Sequence, residues 1–164
     1  MKKRYCKLLL LFLVFSNISF SQSSDAPAKK DAILFTCDSF YKVADYANLK
    51  KTAEAYLAGK SPLSAEQKIT LNYYAGIANY NLLIFDTALL FQKKCFDEAK
   101  AQANTDFLGK SGMALMVINM QIGDTAQAKL YKKELQAIVE NESVTDKEKL
   151  LPYLALGLNY QRQM

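Results

Sequence analysis

From Asp31 onward, apolar residues recur at spacings of three and four, and nowhere do β-branched and polar residues alternate over a strand's length. That pattern predicts helices and no strands. Seven segments are predicted: 31–43, 46–58, 65–84, 87–103, 111–122, 125–140 and 146–163. Turn chemistry separates them. Asp45, Asp86 and Asp124 each stand between two helical segments, where a carboxylate accepts the free amide protons of the next helix. Gly59 before Lys60-Ser61-Pro62 ends the second helix in the left-handed conformation that glycine tolerates. Ser64 with Gln67, and Thr145 with Glu148, have capping-box spacing. Gly109 and Gly112 are expected to loosen the connection before the fifth helix, and Gly123 to end it. Pro152 is expected to kink the last segment or to mark its true start near Leu151.

The two kinds of helix differ in pattern. The even-numbered ones are amphipathic: Leu90, Phe91, Cys95 and Ala99 share a face away from Lys93, Lys94, Asp97 and Glu98. Leu130, Tyr131, Leu135 and Ile138 do the same against Lys129, Lys132, Lys133 and Glu134. The odd-numbered ones are apolar all round, with no polar side chain from Met113 to Ile118 or from Leu150 to Leu158. Such helices must be covered on several sides. They are expected to form an inner layer, with the charged even-numbered helices outside. A repeat runs through the inner helices. Ala75-Gly-Ile-Ala-Asn-Tyr80 returns forty residues on as Leu115-Met-Val-Ile-Asn-Met120, and again as Ala155-Leu-Gly-Leu-Asn-Tyr160. Self-similarity at a fixed period in this range predicts a helical solenoid.

Within that repeat, Tyr153-x-x-Leu156-Gly157-x-x-Tyr160 resembles the first-helix pattern of a tetratricopeptide repeat. Gly123-Asp124-Thr-Ala-Gln-Ala128 is similar to the turn and small residue that open the second helix. Tyr73, Gly76 and Tyr80 keep the aromatics and lose the Leu, whereas Met116 and Asn119 depart from the pattern. The spacing also exceeds the family's usual period of about 34. The resemblance covers most of 31–164. It implies an all-α, right-handed two-layer α-solenoid of helix-turn-helix repeats, and a binding module instead of a catalyst.

The first residues alter the charge picture. Lys2, Lys3, Arg4 and Lys7 precede an apolar run from Leu8 to Phe15, and Ser19 and Ser21 fit a cleavage site before Gln22. Residues 1–21 are read as an export signal, too short in their apolar part to span a bilayer, which takes roughly 20 residues. The protein is expected to be periplasmic or secreted, without a transmembrane span after cleavage. Gln22 to Lys30 reads as a flexible lead-in to the repeat domain at 31–164. Of the 21 basic and 16 acidic residues, four basic and no acidic ones lie in the signal, leaving 17 against 16. The remaining chain has a single arginine, Arg162, so no basic face rich in arginine exists to bind nucleic acid. Cys37 and Cys95 lie one and a half repeats apart and read first as buried thiols, with a disulfide between them as the lesser alternative.

Chemistry finds little purchase. The chain has no histidine, which removes the commonest general base and most zinc sites. No nucleophile elbow and no calcium loop are present. Asn104 to Ser111 imitates a phosphate-binding loop, but Asn replaces its first glycine and a helix precedes it where a strand belongs. No cofactor or metal is expected.

Binding is the reading that remains. A groove lined by the odd-numbered helices would present Tyr74, Ala78 and Leu82, and then Met113, Val117 and Met120, to a protein or peptide. The Asn79, Asn119 and Asn159 series either offers amides to a peptide backbone there or bonds neighbouring helices. Tyr73, Tyr80, Tyr153 and Tyr160 are read as core residues, and Tyr74 as freer. The last helix carries Leu151, Leu154 and Leu158 with no charged helix to cover them. Either it folds into the groove, or it contacts another protein, a second copy or a membrane surface. The alternative function is therefore a structural subunit of an envelope assembly, or a homo-oligomer joined through 151–164.

Overall fold

The structure is a computed structural model that describes residues 25–161, with side-chain surroundings from Ala32 to Gly157. It divides into two compact units, residues 1–31 and 32–164. The first is described only from Asp25 on, so the expected export signal lies outside the described residues. Among the described residues there are seven α-helices and no strand. They are α1 (Asp25–Lys42), α2 (Tyr46–Ala58), α3 (Ala65–Asn81), α4 (Phe85–Ala101), α5 (Thr105–Ile122), α6 (Thr125–Glu140) and α7 (Asp146–Gln161). Among the described residues, no helix is long and apolar enough to cross a membrane.

Local chemistry sets most boundaries as expected. Asp45 and Asp124 accept the amide protons of Asn48 and Gln127 at 3.2 and 3.0 Å. Ser64 and Gln67 complete a reciprocal capping box at the start of α3. Glu148 accepts from the amide and hydroxyl of Thr145, and those bonds hold its carboxyl below the usual range. Four expectations are corrected. Asp86 is no cap: α4 starts two residues earlier than expected, at Phe85 after Ile84, which offers no side-chain acceptor. Gly59 is extended (φ −68°, ψ 159°), not left-handed. Gly109 and Gly112 lie inside α5, which starts at Thr105 because Asn104 accepts the Phe107 amide proton. Pro152 sits within α7, which begins at Asp146 and not near Leu151. A proline there leaves one carbonyl of the preceding turn without its helical donor.

Three turns share one geometry. Ala44, Leu83 and Ala103 have φ of 57°, 61° and 51°. The amides that follow, at Asp45, Ile84 and Asn104, each reach five residues back, to the carbonyls of Phe40, Asn79 and Ala99, at 2.9 Å. These are six-to-one helix terminations in which glycine is the usual left-handed residue. A leucine there is strained by roughly 1–2 kcal/mol, and glycine costs about 0.5–1 kcal/mol more backbone entropy on folding. Leu83 is also 69% exposed, so it has little packing to lose. Leu83→Gly is therefore expected to raise stability by about 0.5–1 kcal/mol in urea unfolding. An unchanged or lowered midpoint would mean that the turn is not strained.

Packing proceeds from neighbour to neighbour. Each of α2 to α6 contacts the next helix in sequence, and the odd-numbered ones also touch each other, α3 with α5 and α5 with α7. Cys37, Leu49, Ala53, Leu71, Ala75 and Ala78 join α1, α2 and α3 in one apolar cluster. Ile69, Cys95 and Ala99 join α3 to α4. Met116, Ala128, Leu135, Ile138 and Ala155 join α5, α6 and α7. The even-numbered helices stand further apart and are bridged by long side chains: Lys100 pairs with Glu134 at 3.0 Å, and the Phe96 ring meets Tyr131 edge-on at 5.5 Å. Helical repeat units that touch mainly their neighbours have this contact pattern.

Candidate interaction surfaces

Helix rotation decides which predicted residues reach solvent, because one residue turns a side chain by about 100°. The asparagine series points inward. Asn79 is 0% exposed, and its Nδ2 donates to Glu54 Oε1 at 2.7 Å and to the Ala75 carbonyl at 2.8 Å. Asn119 is buried too, donating to the Leu115 carbonyl at 2.7 Å. Ala78 is packed into the first cluster. These three residues therefore do not line a groove: the amides bond their own helix and a neighbouring carboxylate, as buried amides must. The side chains of Leu158 and Asn159 lie outside those described.

The remaining predicted residues are accessible to different degrees. Tyr74 is half-buried, with its hydroxyl donating to Asp38 Oδ1 at 3.2 Å and its ring beside those of Tyr41 and Tyr73. Burial and the adjacent Asp38 carboxylate both push its phenol upward. Lys42, 2.6 Å from Asp38, holds that carboxyl below its ordinary value. Met113, Val117 and Met120 on α5 are half-buried, and both methionines pack against the α5–α6–α7 cluster. Leu82 is partly exposed at the end of α3, next to Leu83 and Ile84. Thus the structure brings Tyr74 together with Asp38 and Tyr41, while Met113 and Met120 belong partly to a core.

Two features escaped the sequence reading. Leu90 and Leu130, assigned to buried faces, are 52% and 53% exposed. The buried stripes run instead through Ala88, Gln92, Cys95 and Ala99, and through Ala128, Leu135 and Ile138. The two leucines, forty residues apart, rim two equivalent open grooves on the even-numbered helices. One, of about 480 Å³, runs between α2 and α4, floored by Leu57 and Phe91. The other, of about 520 Å³, lies between α4 and α6, floored by Phe96 and Tyr131. The forty-residue spacing of Leu-Phe (90–91) and Leu-Tyr (130–131) was the available signal.

The second feature is α7. Leu150, Tyr153 and Leu154 are 57%, 54% and 52% exposed, and Leu151 is half-buried. Tyr153 is not the core residue expected of it. Tyr73, eighty positions earlier, is covered by Phe107 of α5, ring centroids 5.6 Å apart.

The two described cysteines are shielded. Cys37 and Cys95 are unpaired and buried, as expected of apolar fillers. Burial raises their thiols to about 11 and about 12, so both stay protonated at neutral pH. A thiolate is the reactive form. In the folded protein neither is expected to react with iodoacetamide, even at pH 9, whereas both should be labelled in urea; peptide mapping of either in native buffer would contradict their burial. No group of three or more metal-ligating side chains is found among the described residues. No known family model matches this chain, and neither a curated protein nor a solved structure shows significant similarity to it.

Proposed function

We propose that this chain is an exported, non-enzymatic α-solenoid of the tetratricopeptide-like kind, which binds a protein or peptide partner. The observation that carries the reading is the outer face of α7. Three large apolar side chains, Leu150, Tyr153 and Leu154, lie on one side of a helix and are each more than half exposed. Contiguous apolar surface of that kind on a water-soluble domain marks an interaction site. The neighbour-to-neighbour helix packing and the forty-residue period support a solenoid. The half-buried Tyr74, Met113, Val117 and Met120 extend the accessible apolar surface along the first helices of the pairs. Export rests on the charge-then-apolar order of residues 1–21. The non-enzymatic reading rests on the lack of histidine and on the burial of the Cys37 and Cys95 thiols, which stay protonated.

A photo-crosslinking amino acid at position 154, introduced in cells that express the full chain, tests this. The expected result is a discrete crosslinked species whose second component mass spectrometry identifies as protein. Crosslinks absent from position 154, and equally from position 117, would overturn the binding reading.

A further inference from the structure

The two grooves between even-numbered helices repeat each other position by position. Thr87, Leu90 and Phe91 of α4 line the first; Gln127, Leu130 and Tyr131 of α6, forty residues on, line the second. Opposite them stand Leu57 of α2 and Phe96 of α4, each at the same distance from the start of its helix. Both clefts, of about 480 and 520 Å³, have the size of ligand sites, with an apolar floor and charged groups around it.

The charges are what select a ligand. In the first groove, Glu54 is paired with Lys50 at 2.9 Å, which leaves Lys94, 5.5 Å over the Phe91 ring. In the second, Asp97 is paired with Lys93 at 2.9 Å and Glu134 with Lys100 at 3.0 Å, which leaves Lys133. Neither Lys94 nor Lys133 has a carboxylate partner among the described residues. In both grooves, then, every lining carboxylate is engaged and one exposed lysine is left over.

We infer that the two grooves together bind one extended peptide segment carrying two apolar side chains, each beside an aspartate or glutamate. The apolar side chains enter the grooves on either side of α4, and the carboxylates meet Lys94 and Lys133. A basic segment would meet the surplus lysines and find no unpaired carboxylate. Directly packed helices lie about 8–10 Å apart, and the even-numbered helices stand further apart than that, so the groove centres are roughly 10–13 Å apart. An extended chain spans that distance in about three or four residues, which sets the spacing of its apolar side chains. Each open groove holds little more than one side chain, so a useful affinity comes from joining the two contacts on one chain. No residue of the α7 face lines either groove, so this site stands apart from that one.

A phage-displayed library of random peptides long enough to reach both grooves, panned on the purified full chain at low salt, tests this. Enriched peptides are expected to carry two apolar residues three or four apart, with acidic residues beside them. For a synthetic representative, fluorescence anisotropy should show Lys94→Glu and Lys133→Glu each weakening binding about 3-fold, and the pair together about 10-fold. Replacing either apolar residue of the peptide by serine should cost at least ~10-fold, because both grooves are engaged. Both lysines are exposed and lack an ion pair, so the double variant is expected to melt with the parent and to prefer lysine-bearing over acidic forms of the peptide. That inverted preference is something a folding defect cannot produce. Leu154→Glu is expected to leave capture unchanged. No enrichment, enrichment without acidic residues, or equal capture by the double variant each overturns the inference. Binding that is lost with Leu154→Glu and indifferent to the two lysines overturns it too, and assigns the peptide to α7.

Discussion

Leu135→Ala is expected to destabilise the domain by about 3–4 kcal/mol, lowering the melting temperature by roughly 10 °C. Leu135 is completely buried and belongs to the cluster formed with Met116, Ala128, Ile138 and Ala155. It closes over Gly112 of α5, where its Cδ2 would lie 3.2 Å from an added Cβ, beside the Phe96 ring. The lost side chain forfeits its transfer free energy, and the cavity it leaves cannot collapse readily between three helices. Because the core is a series of local clusters, the damage should spread unevenly. Hydrogen exchange should rise first in α5, α6 and α7, while α2 and α3 keep their protection. Uniform loss across the chain would mean that the helices fold as one cooperative block, not as coupled neighbours.

The second large effect concerns Gly76 and Gln92. Gly76→Ala is expected to cost about 2 kcal/mol, although alanine is the better helix former by about 1 kcal/mol. Its Cβ would sit 2.5 Å from Gln92 Nε2 and 2.7 Å from Cδ and Cγ, distances that real structures do not show. Gln92 has little room to move: it is fully buried, and its Nε2 donates to the Tyr73 carbonyl at 3.2 Å. Its Oε1 has no hydrogen-bond partner among the described residues, a burden on α4 that removal would relieve. In a Gln92→Ala background the space opens, and Gly76→Ala should then become stabilising by about 1 kcal/mol. The double-mutant cycle is thus expected to show a coupling of about 2–3 kcal/mol. Simple additivity of the two substitutions would show that α3 and α4 are not held this close.

The same pair illustrates what could be read in advance. Gly76 stood out from the sequence as part of the repeat, but nothing there said that a glutamine sixteen residues later would fill the space above it. The helices themselves were legible, because caps and turns are local. Ser64 with Gln67, Thr145 with Glu148, and the carboxylates of Asp45 and Asp124 all act within four residues of their targets. The failures at Asp86, Gly59 and Gly109 have a common origin. Each residue type admits several local roles, and only the packing of the flanking helices selects one.

Side-chain placement was the less legible level. Asn79 and Asn119 read equally well as groove residues or as buried ones; their bonds to Ala75, Glu54 and Leu115 put them inside. Leu90 and Leu130 read as core and lie at the rims of grooves between even-numbered helices. Tyr153 follows Tyr73 in the repeat, yet Tyr73 is covered by the Phe107 ring whereas Tyr153 is 54% exposed.

What the sequence determined by itself, for the described residues, is the all-helical class, the number of helices, most of their ends, and the forty-residue period, since all of these depend on spacing and on contacts within a turn or two. What only the tertiary structure decided is the rotation of each helix about its axis, and with it which apolar residues face water. A rotation of one residue, about 100°, leaves the apolar pattern of such helices almost unchanged, because they are apolar on nearly every side. Contacts between residues tens of positions apart choose among those rotations, and they leave Leu150, Tyr153, Leu154 and Gly157 together on the open side of α7.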